Sequence, residues 1–278
     1  MTSPTAPPGA RVVPVLLYHA VTDDPPAWLA EFTVTPADFA AQLDAVVASG
    51  RTPVPVSALA ERLAGRAPLP SRPVVLTFDD GFADLPGATA EALAARGLPA
   101  TAYLTTGAIT PGRTSLLPPA PMMTLAQAPR LERSYGIEVG AHTVTHAQLD
   151  TLSAAELRRE LRESKETLED VLGHEVAHLA YPHGYNSRAV RRAAARAGYA
   201  SAVAVRHALS SERDETYRIA RLIVRRHHTA ADIASWMAGE AARGERARIA
   251  PFPDSPATLG WRLYRAARAR LRGPEFAG

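Results

Sequence analysis

Two adjacent carboxylates stand at the end of an apolar run, in the sequence Val74-Val75-Leu76-Thr77-Phe78-Asp79-Asp80-Gly81. A short apolar run rich in β-branched residues predicts a buried strand. Buried carboxylates that lie side by side repel each other, and a bound cation is the usual compensation. Gly81 allows the sharp turn that would bring both side chains to one place. A surface Asp-Asp-Gly turn explains the same residues, so the motif leaves both alternatives open.

Two histidines follow a second predicted strand. The segment 137–141 is apolar and is followed by His142-Thr143-Val144-Thr145-His146. Two imidazoles and one carboxylate form a metal site that keeps open positions for water and substrate. Among 9 histidines in 278 residues, one such pair arises readily by chance. The prediction therefore depends on the conjunction of the two motifs, because both end predicted strands.

A second histidine pair, His174-Glu175-Val176-Ala177-His178, matches the His-Glu-x-x-His pattern of zinc peptidases. That chemistry requires a helix, which would place both histidines on one face. Here a helix opens with a capping box at Ser153 and ends before Gly173, and the next residues predict a strand. On a strand the two histidines lie about 13 Å apart, too far to share a metal. The sequence therefore disfavours a peptidase.

Hydrophobic periodicity and turn residues predict strands that alternate with helices about seven times. Such alternation indicates a parallel sheet, either closed into a barrel or open, with the site at the carboxyl ends of its strands. Both motifs fall at such ends. The predicted strands are 12–18, 52–56, 74–78, 100–105, 137–141, 176–180, 200–205 and 218–224. The predicted helices are 36–49, 57–64, 84–96, 125–133, 153–172, 187–197 and 229–242.

The composition is that of an ordinary globular protein with 46% hydrophobic and 21% charged residues, and its length suits one large α/β domain. The absence of cysteine excludes disulfides and thiolate metal ligands. No basic leader and no stretch of membrane-spanning length are evident, so we expect a cytoplasmic protein. We expect a flexible N-terminus over 1–10, one domain over 11–250 and a basic tail over 251–278.

Positive charge is almost entirely arginine, because Lys165 is the only lysine among 31 basic residues. The net charge is only +3, and no basic motif is interleaved with stacking aromatics, so we expect no nucleic-acid partner. Arginines become more frequent toward the C-terminus. The segment 261–265 opens a basic amphipathic helix that could contact a membrane surface or a partner protein. A surface helix packed on the domain, or a loose tail, is the alternative.

Three motifs in order identify a family resemblance. They are 77–81 (Thr-Phe-Asp-Asp-Gly), 142–146 (His-Thr-Val-Thr-His) and 180–184 (Ala-Tyr-Pro-His-Gly). Together they resemble the motifs of polysaccharide deacetylases of the NodB-homology type, over about 12–238. The resemblance implies a distorted (β/α)7 barrel that removes acetyl groups from acetylated sugars with a divalent metal, most often zinc, with cobalt, nickel or manganese as alternatives. It also implies that Asp79 is the general base and that Asp80, His142 and His146 hold the metal.

Two positions depart from the family pattern. The third motif of the family begins with an arginine that pairs with the catalytic Asp, and this position is Ala180. We therefore expect Asp79 to have a higher pKa than in the usual arrangement. The late Leu-x-His of the family, whose His is the general acid, is absent near 221–224. Leu17-Tyr18-His19 supplies it at the end of the first strand, which resembles the circularly permuted poly-N-acetylglucosamine deacetylases, and we predict that His19 is the acid. A structural histidine at that strand end is the alternative.

The remaining site residues are predicted from chemistry. A tetrahedral oxyanion needs a hydrogen-bond donor, which we expect from a backbone N–H in the turn Tyr181-Pro182-His183-Gly184. Tyr18, Trp28 and Tyr181 are candidates for stacking on a sugar ring, or for packing. His227 and His228 are weaker acid candidates than His19, because two arginines precede them at a predicted surface turn.

Two other functions remain open. The same scaffold could hydrolyse an acetyl ester, or it could bind carbohydrate without turnover. We expect an acetylated carbohydrate or amino-sugar conjugate as the substrate. Without a predicted leader, a lipid-linked, nucleotide-linked or natural-product amino sugar suits the chain better than an external polymer.

Overall fold

A computed structural model describes residues 11–239 and 256–273 of the chain. Within these ranges, strands and helices alternate as the sequence predicts. No helix in the described part of the chain is long and apolar enough to cross a membrane.

Seven parallel strands form one curled sheet in the order β10-β2-β4-β5-β6-β7-β8, and β3 pairs with β4 in parallel. A bridge between Val203 and Ile219 joins the last strand to the segment before β10. The sheet thus curls into the distorted (β/α)7 barrel of the NodB type. The strands are β1 Val12–Val13, β2 Val15–Tyr18, β3 Thr52–Pro53, β4 Pro73–Phe78, β5 Ala100–Leu104, β6 Ile137–Ala141, β7 His178–Ala180, β8 Ser201–Val203, β9 Ser210–Ser211 and β10 Leu222–Ile223.

Helices cover the outside of this sheet, and their ends carry the expected caps. Ser153 and Glu156 form the predicted capping box of α6, and Gly173 ends that helix in the left-handed conformation. The helices are α1 Pro36–Ala48, α2 Val56–Leu63, α3 Ala90–Ala94, α4 Thr106–Ile109, α5 Ala128–Tyr135, α6 Ala154–Leu172, α7 Arg188–Arg196, α8 Ala230–Ala238 and α9 Pro256–Arg272. The first half of the predicted helix 84–96 is instead a kinked turn, since Gly87 has non-helical dihedral angles.

Alternation along each strand divides the core into two layers. Val15, Val75 and Tyr103 belong to one cluster, inside the barrel. Their neighbours Leu16 and Leu76 belong to a larger cluster between the sheet and the helices. At the carboxyl ends of the strands, only the residues that alternate toward the inside can therefore reach the centre of the barrel.

The C-terminal helix α9 lies within the predicted tail 251–278 and contacts the domain. The Arg265 side chain is 6% exposed and pairs with Asp150 through two hydrogen bonds of 2.8 and 2.7 Å. The part of the predicted tail that the structure describes is therefore a helix packed on the domain, as the alternative reading of the sequence held.

Candidate active site

Asp79 and Asp80 lie directly after β4, at the carboxyl end of the barrel. Each is 3% exposed, so both carboxylates are buried. Asp79 continues the inward face of Val75 and Thr77, and its N–H donates to the carbonyl of Tyr18. Asp80 has a φ of 74°, and the following Gly81 has a φ of 92°. This turn breaks the alternation of the strand and brings the second carboxylate toward the same site.

Asp80, His142 and His146 form a buried cluster in which one ligand atom of each lies within 4.8 Å of the others. His146 Nε2 is 3.3 Å and His142 Nε2 is 3.5 Å from Asp80 Oδ1. Asp80 Oδ1 is buried and has no hydrogen-bond partner among the residues that the structure describes. A buried carboxylate oxygen without a donor is costly, and a divalent cation would satisfy it. The cluster thus fits the predicted metal ligands.

Hydrogen bonds around the cluster orient its histidines. His142 Nδ1 lies 2.8 Å from the carbonyl oxygen of Ala180, so Nδ1 carries the proton and Nε2 is left for a metal. The loop between the two histidines is held by Glu160 of α6. Its carboxylate accepts from the N–H groups of Val144 and Thr145, each at 2.9 Å. Glu160 is only 2% exposed, and no motif in the sequence singled it out.

Arg221, directly before β10, pairs with Asp79 across the neighbouring strand β2. Its two terminal nitrogens donate to the two oxygens of Asp79, each at 2.7 Å. The guanidinium is fully buried and also donates to Thr77 Oγ1 and to the carbonyl of Ala204. The third motif has Ala180 at the position where the family has an arginine. In this chain Arg221, directly before β10, supplies the arginine that pairs with Asp79.

The expectation of a raised Asp79 pKa is wrong for this reason. Burial works to raise the pKa of Asp79, but Arg221, assisted by His142, outweighs burial and lowers it below the ordinary value. The pKa of Asp80 shifts the other way, since burial and the neighbouring Asp79 both raise it. Of the two adjacent carboxylates, Asp79 is therefore held ionised by the protein itself, whereas Asp80 needs a cation.

His19 follows β2 on the inward face shared by Val15 and Leu17. It lines the same cavity as both carboxylates, and its ring lies 5.4 Å from that of Phe32. Burial lowers the pKa of His19 to about 4, and the charge of Asp79 opposes that shift. Its Nδ1 is buried without a hydrogen-bond partner among the described residues. The structure thus places His19 in one cavity with the predicted base, and its role as the acid stays a prediction.

The cavity over this cluster has a volume of about 230 Å³. His183 and Trp28, both predicted as substrate contacts, lie in its wall. The His183 ring is 4.6 Å from the His146 ring, and its φ of 55° is left-handed. Left-handed non-glycine residues gather at this site and are characteristic of functional sites. They are Asp80, Thr143, His146 and His183.

Comparisons with known proteins agree with this geometry. Residues 66–202 match the family model described as polysaccharide deacetylase. This segment is therefore similar to a polysaccharide deacetylase domain. YxkH of Bacillus subtilis (strain 168), a protein named for polysaccharide deacetylases, is 26% identical over 151 residues, which are 54% of this chain and 51% of YxkH. The chain thus spans about half the length of that curated relative.

Solved structures share the fold. The Streptococcus pyogenes deacetylase PplD in complex with acetate superposes with a TM-score of 0.73 at 24% identity, covering 82% of this chain and 99% of that one. IcaB from Ammonifex degensii superposes with a TM-score of 0.68 at 21% identity, covering 81% and 97%. At these identities the likeness shows the fold, and it confirms the barrel predicted from the motifs.

Tyr18 and Tyr181, two of the candidates for stacking on a sugar ring, lie outside the cavity, so their stacking role is wrong and the packing alternative holds. Tyr18 is 1% exposed and packs between Phe39 and Phe78, with ring centroids 5.3 Å away from each. Tyr181 is fully buried, and its hydroxyl donates to the carbonyl of Tyr217. Both follow an inward residue on their strand and so point toward the helices. They are packing residues.

The turn after β7 contributes less to an oxyanion site than predicted. Pro182 is buried and has no N–H, and the N–H groups of Tyr181 and Gly184 donate to the carbonyls of Val203 and Tyr181. Gly184 has a φ of 73°, and a Cβ there would lie 2.4 Å from the Val205 nitrogen, so no side chain fits. The oxyanion role of this turn stays a prediction, and Tyr181 and Gly184 already use their N–H groups.

The other histidine motifs do not form a second site. His174 lies outside any helix and pairs with Glu132 at 2.6 Å, while His178 begins β7 and contacts Ser201 Oγ at 2.9 Å. The peptidase alternative is therefore excluded, as the sequence indicated. His228 packs against Trp236 with ring centroids 4.8 Å apart and does not line the cavity.

Proposed function

We propose that the protein is a metal-dependent hydrolase that removes the acetyl group from an N-acetylated sugar and releases acetate and an amine. One observation carries the proposal. The carboxylate that arginine keeps ionised, Asp79, adjoins the buried cluster of Asp80, His142 and His146 in a single cavity. A base and an adjoining cation site are the two parts that hydrolysis of an unactivated amide requires.

The donor set supports a divalent metal, with zinc first. Two imidazole nitrogens and one carboxylate oxygen suit zinc, and cobalt, nickel or manganese bind similar ligands. When bound, such a cation polarises a carbonyl oxygen and lowers the pKa of water. His142, oriented by the carbonyl of Ala180, would present Nε2 to it.

The chain's own residues then handle the protons. Asp79, ionised beside Arg221, accepts a proton from the attacking water. The proton for the departing amine comes from His19, because an amide nitrogen does not leave as an anion. His19 is neutral when its pKa is about 4. We therefore infer that it gains its proton within the reaction, either from water or by way of Asp79.

Acetate release tests the proposal. Metal-stripped protein, reloaded with zinc, is incubated with short N-acetylglucosamine oligomers, and acetate is measured against the stripped protein. We expect release only after reloading. Absence of acetate from every acetylated sugar tried, with one zinc bound per chain, would contradict the proposal and favour a barrel that only binds carbohydrate.

An acetyl-ester hydrolase is the second candidate, because the same cavity would accept an ester. The buried position of His19 favours the amide, since an alkoxide leaves more readily than an amide anion and needs less help from an acid. A His19→Ala variant that keeps ester activity and loses amide activity would support the first function. If His19→Ala lost amide and ester hydrolysis equally, this variant would not favour the amide over the ester.

Two further expectations stay proposals. The first is the cytoplasmic location expected from the sequence. Contact of α9 with a membrane or protein surface is supported by its exposed apolar side chains, among them Trp261, Leu263 and Tyr264, each more than half exposed. Cosedimentation of the protein with vesicles containing anionic lipid tests the membrane contact, with neutral vesicles as the control.

A further inference from the structure

A groove lies at the rim of the barrel, between helix α9 and the turn that follows β7. Its volume is about 530 Å³. Tyr185 lines both this groove and the cavity over the deacetylase site, so the two adjoin with one side chain between them. The side chains used below are Tyr185, Arg188, Arg206, Trp261, Arg262 and Arg265.

Helix α9 forms one wall of the groove and is fixed by a buried ion pair. The Arg265 guanidinium donates to both oxygens of Asp150 and to Gln148, at 2.7 to 2.8 Å, and lies 3.5 Å from the Tyr185 ring centroid. Trp261 Nε1 donates to the Tyr185 hydroxyl at 3.2 Å. These contacts tie the helix to the residue that separates groove and cavity.

The groove carries an excess of positive charge. Four arginines line it, against one carboxylate, Asp150, which is already paired with Arg265. Of the other three, Arg188 and Arg262 form no ion pair within the part of the chain that the structure describes. Guanidinium groups recognise phosphoryl and carboxyl groups through paired hydrogen bonds. The exposed face of Trp261 adds an apolar surface at the same place.

The size of the deacetylase cavity also points to a second binding region. At about 230 Å³ the cavity is smaller than the roughly 300–1,000 Å³ of typical ligand pockets. A substituent of the sugar would then extend beyond the cavity, and the adjoining groove would receive it.

We propose that this groove binds an anionic group, phosphoryl or carboxyl, carried by the sugar whose acetyl group is removed at Asp79. The inference rests on the proposed function and extends it to the class of substrate. Arg262 and Arg188 are then specificity-determining residues. They act on substrate binding and take no part in the chemistry at the acetyl group.

The test compares acetate release from three sugars by the zinc-loaded full chain. The sugars are N-acetylglucosamine 1-phosphate, N-acetylmuramic acid, which carries a carboxyl group, and neutral N-acetylglucosamine. We expect kcat/KM to be at least about tenfold higher for one of the two anionic sugars, which also identifies the group. Arg262→Gln should remove most of this preference, through KM. Arg270→Gln, on the exposed part of the same helix, is the matched control and should change nothing.

A binding measurement separates this inference from the proposed function. Inorganic pyrophosphate is titrated into the wild type, Arg262→Gln and Arg270→Gln. We expect Arg262→Gln to weaken binding by about tenfold, and Arg270→Gln to bind like the wild type. Pyrophosphate that binds at the metal contributes equally in all three proteins, so a difference between them reports binding in the groove. Equal kcat/KM for the three sugars, or pyrophosphate binding equal in all three proteins, would overturn the inference. Binding that depends on Arg262 without acetate release from any sugar would keep the groove and overturn the function.

Discussion

Replacing Arg221 with Met should destabilise the protein strongly. Arg221 is fully buried and Asp79 is 3% exposed, and two hydrogen bonds of 2.7 Å join them. Removing one partner of a buried ion pair leaves the other charge without compensation, at a cost of about 3 to 5 kcal/mol. We expect Arg221→Met to lower the free energy of unfolding by that amount at pH 7.

A double-mutant cycle shows whether this cost comes from Asp79. Urea unfolding of the metal-free protein is measured for the wild type, Arg221→Met, Asp79→Asn and the double variant. The double variant should be more stable than the sum of the two single effects predicts, by about 2 kcal/mol or more. The same cycle with Asp80→Asn is the control and should show a smaller coupling, because Arg221 donates no hydrogen bond to Asp80 in the structure. Additive effects in the Asp79 cycle would refute the reasoning.

Four other predictions concern the remaining parts of the site and its surroundings. In the metal-free protein at pH 7, Asp80→Asn should raise the melting temperature, since the raised pKa of Asp80 means that its charge destabilises the folded state above its ordinary pKa of about 3.9. With zinc at about 100 times its dissociation constant, the wild type should gain about 2.7 kcal/mol and the order should reverse. Glu160→Gln should weaken zinc binding by about 10- to 100-fold by loosening the loop, measured by chelator competition. His19→Ala should lower kcat for amide hydrolysis by about 10² to 10⁴. His174→Gln should lower the free energy of unfolding by less than about 1 kcal/mol below pH 6 and leave it unchanged at pH 8. The hydrogen bond to Glu132 raises the pKa of His174, so this stabilisation is lost as the pH rises through the raised pKa. A difference between variant and wild type that stays constant from pH 5 to pH 8 would contradict this.

The barrel and the metal cluster were predictable because each depends on a local pattern. Strand periodicity located β4 and β6, and parallel strands present their carboxyl ends at the same edge. Asp79 and Asp80 follow β4 directly, His142 follows β6 directly with His146 four residues later, and the structure brings all four to one cavity.

The arginine that pairs with Asp79 required a different signal. Arg221 and Asp79 are separated by 142 residues, so no local motif connects them. Strand alternation did contain the information. A strand over 218–224 that presents Arg221 and Ile223 to one face places a charge inside the barrel, and a buried charge needs a partner.

The same alternation would have corrected the choice of stacking residues. Leu17 and His19 face inward on β2, so Tyr18 between them has to face the helices. Glu160 has an analogous signal, because it shares the apolar face of α6 with Leu157 and Leu161. The groove beside α9 could not be predicted, because it depends on where the C-terminal helix packs.

The central claim is that the two adjacent carboxylates have different roles, and one experiment tests it most directly. Zinc content and acetate release are measured together for the wild type, Asp79→Asn and Asp80→Asn. We predict that Asp79→Asn keeps one zinc per chain and loses acetate release by about 10² to 10⁴, as expected for a missing general base. Asp80→Asn should lose the zinc itself. Loss of zinc in Asp79→Asn, or full acetate release without the Asp79 carboxylate, would contradict the account.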